Sequence, residues 1–284
     1  MFQVYESENL LPGVYRITER PAENAPGVNM YVVVGEERAL LFDTGFGVTD
    51  TLPAFVAGIT DKPIVCVVGH GHPDHAGAAA LFDEVYMNRR DEGLLPVALS
   101  YERRMDDVFG RLENADPELK AYCETHIVMT DRLNYRDIDQ GDTVDLGGRT
   151  LEVYAIPGHT QGSIALLDRA NNYALVSDAF STRTALVTLP PEKRVGLTAY
   201  RDGLARFMDA IREDTLLYWG HGNDPVSHDI PRDMLRACTE VLDGKTEQDV
   251  ASVSHFAKRK AAATKRMMEH RCGSVLLVYD ANTL

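Results

Sequence analysis

Paired cysteines are missing from this 284-residue chain: Cys66, Cys123, Cys238 and Cys272 are scattered, with no CxxC among them. No disulfide framework is implied. A chain this long buries a sizeable core without staples, so four reduced thiols in a cytoplasm are the simpler expectation. Long apolar runs are missing too. None approaches the roughly 18 residues that a membrane span needs, so no membrane partner is expected. The opening MFQVYESENLLPG has no basic stretch followed by an apolar one and does not read as a secretory signal. Basic charge is scarce: 29 Lys and Arg against 43 Asp and Glu leave a net charge of -14, which disfavours a phosphate-binding face and nucleic acid as a partner. There is no Walker-type phosphate loop and no GxSxG elbow, so no serine nucleophile is indicated. A soluble, cytoplasmic protein is the expectation.

What is present begins with strands. GVYRIT (13–18), NMYVVV (29–34) and RALLFD (38–43) are apolar and β-branched, and turn-rich or charged segments separate them. PIVCVVG (63–69) is a continuous apolar run, as expected of a strand covered on both faces, and AGAAALF (76–82) reads as a short helix. Residues 88–135 are charged and helix-prone, and read as a helical insertion of the kind that shapes binding sites. Strands resume at DTVDL (142–146), TLEVYAI (150–156), SIALLD (163–168) and YALVS (173–177). A helix is expected over 198–213, a strand at TLLYWG (215–220) and a helix over 230–243. A basic surface helix is expected at FAKRKAAATKRMMEHR (256–271), and a last strand at SVLLVYD (274–280). The chain, 1–284, is expected to be a single α/β (α+β) domain. Strands followed by helix in each half suggest two packed sheets with helices outside.

The chemistry concentrates in His70-Gly71-His72-Pro73-Asp74-His75, directly after the buried strand. Imidazole and carboxylate are good ligands for zinc and similar divalent ions. His70 and His72, two apart on an extended stretch, can point to one side. Asp74 and His75 lie where the chain turns into a helix and can serve a second ion. Nine histidines in the whole chain make three within six positions hard to ascribe to chance or core packing. His159 in IPGHTQGS, Asp178 closing YALVSD and His221 in YWGHG each follow an apolar strand, and in layered α/β folds such loops cluster on one edge, where ligands bind.

As a set these residues resemble the metallo-β-lactamase superfamily. HGHPDH matches its HxHxDH signature; PGHTQGS, the Asp after a strand and the late Gly-His match its remaining ligand motifs in order, and LFDTG resembles its early Asp-Thr-Gly. The resemblance covers roughly residues 13–222. It implies a four-layer αββα sandwich of two mixed β-sheets flanked by helices, with two divalent metal ions, Zn2+ foremost and Fe or Mn admissible. His70, His72 and His159 would hold one ion, Asp74, His75 and His221 the other, with Asp178 bridging and Asp43 supporting from behind. The implied reaction is hydrolysis by a metal-bound hydroxide: two ions roughly 3.5–4 Å apart lower the pKa of a shared water to about 7 and stabilise the charge that develops beside them. Asp74 would orient that hydroxide and carry a proton. PGHTQGS is nearer the glyoxalase-II-like and lactonase-like branches, which implies a small ester, thioester, lactone or amide as substrate. Two positions depart from the pattern: Ser177 stands where many relatives have Gly, and Gly71 where Thr or Ser is frequent. Neither removes a ligand, and both bear on the hydrogen bonds that orient ligands.

Other readings stay open. A phosphodiesterase or nuclease would use the same metals, a persulfide dioxygenase a single iron, and a non-catalytic metal-binding protein the same ligands without turnover. His126, His228, His255 and His270 lack companions at ligand spacing and read as surface or locally bonded residues. Cys66 reads as a core residue. Tyr101, Arg103 and Arg104 are candidates for lining a substrate pocket, none singled out.

Overall fold

The computed structural model describes residues 2–21, 27–110, 116–186, 196–222, 225–252 and 267–282. Along the chain the strands are β1 (Tyr5–Leu11), β2 (Val14–Glu19), β3 (Val28–Val34), β4 (Ala39–Phe42), β5 (Ile64–Val68), β6 (Val85–Met87), β7 (Arg136–Asp137), β8 (Thr143–Asp145), β9 (Thr150–Ala155), β10 (Ile164–Asp168), β11 (Tyr173–Ser177), β12 (Arg183–Ala185), β13 (Leu216–Trp219), β14 (Val250–Ala251), β15 (Met267–Cys272) and β16 (Val275–Asp280). The helices are α1 (Leu52–Ala57), α2 (Pro73–Ala76), α3 (Leu95–Ala98), α4 (Tyr101–Phe109), α5 (Pro117–His126), α6 (Leu197–Ala210) and α7 (Asp229–Leu242).

β1 to β7 pair in chain order into one sheet, antiparallel as far as β4 and parallel from there on. A second mixed sheet runs β13-β11-β10-β9-β8. Side chains alternate across each strand, and the two sheets meet through one set of faces: Tyr31, Phe42 and Val67 pack against Val153, Leu166 and Leu175. The opposite face of the first sheet, with Ile17, Met30 and Leu41, is covered by Leu52 and Val56 of α1 and Met105, Val108 and Phe109 of α4. The outer face of the second sheet is covered by Tyr200, Leu204 and Phe207 of α6 and Met234 and Cys238 of α7. The order is therefore helix, sheet, sheet, helix, as expected.

Four features differ from the sequence reading. A third, four-stranded sheet, β12-β16-β15-β14, packs with Val275 and Leu277 against the α7 side. It contains residues 267–272 of the expected basic helix. Met267, His270 and Cys272 are buried in β15, which pairs with β16 across a turn at Gly273. Tertiary pairing overrides the helix propensity of Met and Glu there; residues 256–266 and His255 lie outside the described residues. β1, charged and mostly exposed, is an edge strand without the apolar alternation that reveals strands. The expected helix at 76–82 is instead a one-turn helix carrying Asp74 and His75, followed by a 3-10 turn at Ala79–Leu81.

Arg104 is the fourth difference. It lines no pocket: it is fully buried. Helical spacing puts it beside Met105, Val108 and Phe109 on the inward face of α4. Its guanidinium donates to the carbonyls of Phe46 and Gly77 at 3.1 and 3.2 Å, and to those of Leu99 and Val128. Nearby, the buried Glu19 carboxylate accepts from the Phe46 N–H and from the Val48 N–H at 3.3 Å. Together these side chains fix the loop after β4. Gly45 (φ 67°) lets that loop approach, since a Cβ there would sit 2.3 Å from Glu19 Oε2. Arg103 faces outward and pairs with Asp107 at 2.6 Å, and Tyr101 is half-buried against the apolar cluster.

Burial pushes the Glu19 carboxyl up to about 7, more than its hydrogen bonds and Arg104 pull it down. Its folded pKa therefore lies above its unfolded one. The stability it contributes is complete below pH about 4.5 and lost as pH rises through about 7. Urea midpoints between pH 4 and 8 should show the native protein losing roughly 3 kcal/mol relative to Glu19→Gln, at about 1.4 kcal/mol per pKa unit. Parallel curves for the two proteins would refute this.

Candidate metal centre

Five loops bring chemistry to one edge of the paired sheets. Asp43 follows β4, His70 follows β5, His159 follows β9, Asp178 follows β11 and His221 follows β13. β4 with β5, and β11 with β13, are parallel neighbours, so their carboxyl ends must open on the same side. Beyond β5, His72 keeps an extended backbone (φ -84°, ψ 159°), and Pro73 at the first helical position starts α2. The six-residue motif is thus split. His70 and His72 lie on extended chain, while Asp74 and His75 lie in a helical turn.

Two groups of donor atoms converge, each within 4.8 Å: His70, His72 and His159, and Asp74, His75, Asp178 and His221. In the first, His72 Nδ1 lies 3.1 Å from His70 Nε2 and 2.9 Å from His159 Nε2. In the second, His221 Nε2 lies 3.4 Å from Asp74 Oδ2 and 3.3 Å from Asp178 Oδ2, and His75 Nε2 lies 3.5 and 3.6 Å from the same two oxygens. Asp178 Oδ2 is also 3.7 Å from His159 Nε2 and so touches both groups. His70 and His75 form the buried floor, whereas the His221 side chain is 41% exposed and opens the site to solvent.

The far sides of the rings are held by hydrogen bonds. His75 Nδ1 donates to Asp43 Oδ2 at 2.8 Å, while Asp43 Oδ1 accepts from the Gly69 N–H at 2.7 Å. Ser177 Oγ donates to Asp43 Oδ2 at 2.7 Å and lies 3.2 Å from His70 Nδ1 and 3.2 Å from His75 Nδ1. His221 Nδ1 donates to the Gly27 carbonyl at 3.1 Å. With these Nδ1 atoms engaged, the Nε2 lone pairs of all three rings face inward. His75 Nε2 is buried and has no hydrogen-bond partner. Such an atom is costly unless something satisfies it, and a set of imidazoles and carboxylates aimed at one another suits a divalent cation. The donor set fits the expected metals.

Electrostatics separate the two groups. Burial, aided by neighbouring imidazoles, holds His70 well below the ordinary histidine range and His72 at about 3. Burial lowers His159 as well, against the pull of Asp178. Burial would also lower His221, but Asp178 and Asp74 outweigh it and raise it to about 11. His75 is raised in the same way, by Asp74, Asp43 and Asp178. Asp74 and Asp178 are lowered by the two imidazoles against a burial effect of opposite sign. The first group therefore offers neutral nitrogens, and the second a balanced set of charges.

Three residues that the sequence did not single out support the site. Asp91, fully buried, accepts from the Gly71 N–H at 2.8 Å, the Thr160 hydroxyl at 2.6 Å and the Gly162 N–H at 2.7 Å. It ties the His70–His72 loop to the His159 loop. Gly71 is what allows this, for a Cβ there would lie 2.9 Å from the Asp91 Cβ. Thr44 donates its hydroxyl to the His75 carbonyl at 2.9 Å. Asn29 holds the His221 turn: its N–H donates to the Gly220 carbonyl at 2.8 Å, and its side-chain amide to the Gly222 carbonyl. No spacing rule marks these positions, although Asp91 and Asn29 are polar residues beside apolar strands. The remaining histidines serve elsewhere. His126 stacks on Tyr122, His228 bonds the Thr215 carbonyl at 2.7 Å, and buried His270 bridges Asp249 and Glu240.

The family model for the metallo-beta-lactamase superfamily matches residues 24–244. An acyl-coenzyme A thioesterase of Gallus gallus is 28% identical over 187 residues, covering 63% of this chain and 66% of that protein. A probable metallo-hydrolase of Burkholderia pseudomallei is 28% identical over 220 residues, covering 72% of this chain and 69% of that protein. The chain thus spans about two thirds of the length of these relatives. A solved beta-lactamase domain protein from Burkholderia ambifaria shares the fold, with a TM-score of 0.58 at 20% identity over 92% of this chain and 80% of that one. The chain belongs to the metallo-β-lactamase superfamily.

Proposed function

We propose that this protein is a dinuclear metal-dependent hydrolase of small carboxylic derivatives, with an acyl thioester as the preferred class. The observation that carries the reading is the convergence of seven donor side chains in two groups that share Asp178. The similarity to an acyl-coenzyme A thioesterase supports a thioester over a lactone or amide. His70 Nε2, His72 Nδ1 and His159 Nε2 would hold one ion. Asp74, His75 Nε2 and His221 Nε2 would hold the other, with Asp178 between them. Zn2+ suits this donor set best, and Fe or Mn is admissible. Bound divalent ions supply Lewis acidity and a water whose pKa falls to about 7.

The chain's own contribution is orientation and proton handling. Asp43 and Ser177 fix the His75 and His70 rings from behind, so no side-chain rearrangement is needed when a substrate arrives. The Asp74 carboxylate, 21% exposed, would pass a proton between attacking water and leaving group. A thiol of pKa about 8.5 leaves with less protonation than an alcohol would need, which suits a site with one modestly exposed acid–base group. Residues 1–284 are read as one unit of this fold, with 88–135 as the segment that shapes substrate access.

The direct test is a panel of an acyl-coenzyme A, an aryl ester, a lactone, a phosphodiester and a persulfide, offered with and without chelator. Thioester turnover should dominate, vanish with chelator and return with Zn2+ or Mn2+. No turnover of any carboxylic substrate by fully metallated protein would overturn the hydrolase reading, and oxygen consumption with the persulfide would replace it.

Asp74→Asn keeps an oxygen to ligate but cannot carry the proton. Its kcat should fall by about 10²–10⁴ while metal analysis still finds two ions per chain. Unchanged turnover would remove Asp74 from the acid–base role.

A further inference from the structure

Ser177 combines two features that do not ordinarily occur together. Its backbone lies in the left-handed region at φ 46°, which costs a residue bearing a Cβ and suits glycine. Its hydroxyl nevertheless sits among three groups of the metal centre: Asp43 Oδ2 at 2.7 Å, and the Nδ1 atoms of His70 and His75 at 3.2 Å each. The side chain is 1% exposed. Opposite it, Gly69 leaves the room it needs, for a Cβ at Gly69 would lie 2.7 Å from the Ser177 Cβ and 2.8 Å from its Oγ.

Valence decides the direction of these bonds. The single hydroxyl proton goes to Asp43 Oδ2, the shortest contact and an obligate acceptor. Oγ then accepts from the His70 Nδ1–H, while the one Nδ1–H of His75 goes to the same Asp43 Oδ2 at 2.8 Å, so the hydroxyl meets the His70 ring directly and the His75 ring through Asp43. The two rings belong to different donor groups: His70 stands with His72 and His159, His75 with Asp74, Asp178 and His221. Strain held in a non-glycine residue at such a place marks a functional demand.

We propose that Ser177 is a positioning residue for both metal subsites, its hydroxyl orienting His70 directly and His75 through Asp43 at the expense of a strained backbone. The inference rests on the two-ion reading above. It separates Ser177 from Asp43, which touches only His75, and from Asp91, which ties only the loops of the first group.

The test is competitive Zn2+ titration of metal-free protein against a chromophoric chelator, resolving both binding steps, for the native chain, Ser177→Gly and Ser177→Ala. Melting temperatures of the metal-free forms are measured in parallel. Both variants should bind both ions about 10–100-fold more weakly, while Ser177→Gly melts above Ser177→Ala because only glycine relaxes the backbone. Native affinities in both variants overturn the proposal, as does a loss confined to one ion. If Ser177→Gly keeps native affinity and Ser177→Ala alone loses it, the effect lies in the backbone and the hydroxyl has no such role. A native protein that binds fewer than two ions overturns the two-ion reading itself, and the shared role with it.

Discussion

A buried imidazole nitrogen without a partner is the constraint on which the rest of this molecule turns. His75 has no exposed surface, its Nδ1 is committed to Asp43, and its Nε2 faces two carboxylate oxygens at 3.5 and 3.6 Å, too far for good hydrogen bonds. Desolvating such a group without compensation costs on the order of 1–3 kcal/mol. At His75 the fold accepts this cost at the edge where both sheets end. The apolar side chains between the sheets fix where those ends lie, so the packing that stabilises the frame also sets the spacing of the donors.

The supporting bonds are not spread evenly. Behind the first group, Asp91 joins two loops from opposite halves of the chain, with one arm on Gly71 and the others on Thr160 and Gly162. Behind the second, Asp43, Thr44 and Asn29 act from the first sheet. Asp91 belongs to the helix-rich stretch between β6 and β7. That stretch supplies the carboxylate that ties the loops of the neutral histidine group. The loop carrying Asp43 and Thr44 is in turn held by Glu19 and Arg104, and Arg104 comes from the same stretch. Removing these helices would loosen both groups.

The part of this site legible in the sequence was the part written in candidate ligands. HGHPDH declares itself because metal chemistry needs particular side chains at particular spacings. His159, Asp178 and His221 could be placed because each follows an apolar strand. What supports them was not legible, for reasons of distance along the chain and of burial. Asp91 sits in a charged RRDEG run indistinguishable from a solvated turn. Arg104 shares a helix with Glu102, Arg103 and Asp107, and its burial follows from which face of α4 meets the sheet, a fact of packing. β15 reads as helix by propensity and becomes strand because β16 lies beside it. The layered frame, by contrast, was readable, because alternation and continuous apolar runs are local signals.

The two departures from the common family pattern answer to the same logic. Gly71 stands where a side chain would collide with Asp91, and Ser177 stands where glycine would be at ease. Each exchange trades one local preference for a hydrogen bond to the metal centre. A Thr at position 71 would displace Asp91 and cut the tie between the first two histidines and His159. A Gly at position 177 would free the backbone and release His70 and His75 from a common anchor. The substitutions thus lie on opposite sides of the same histidine, His70, one loop bond in front of it and one ring bond behind. Around His70 this chain thus favours fixed orientation over backbone ease and side-chain bulk.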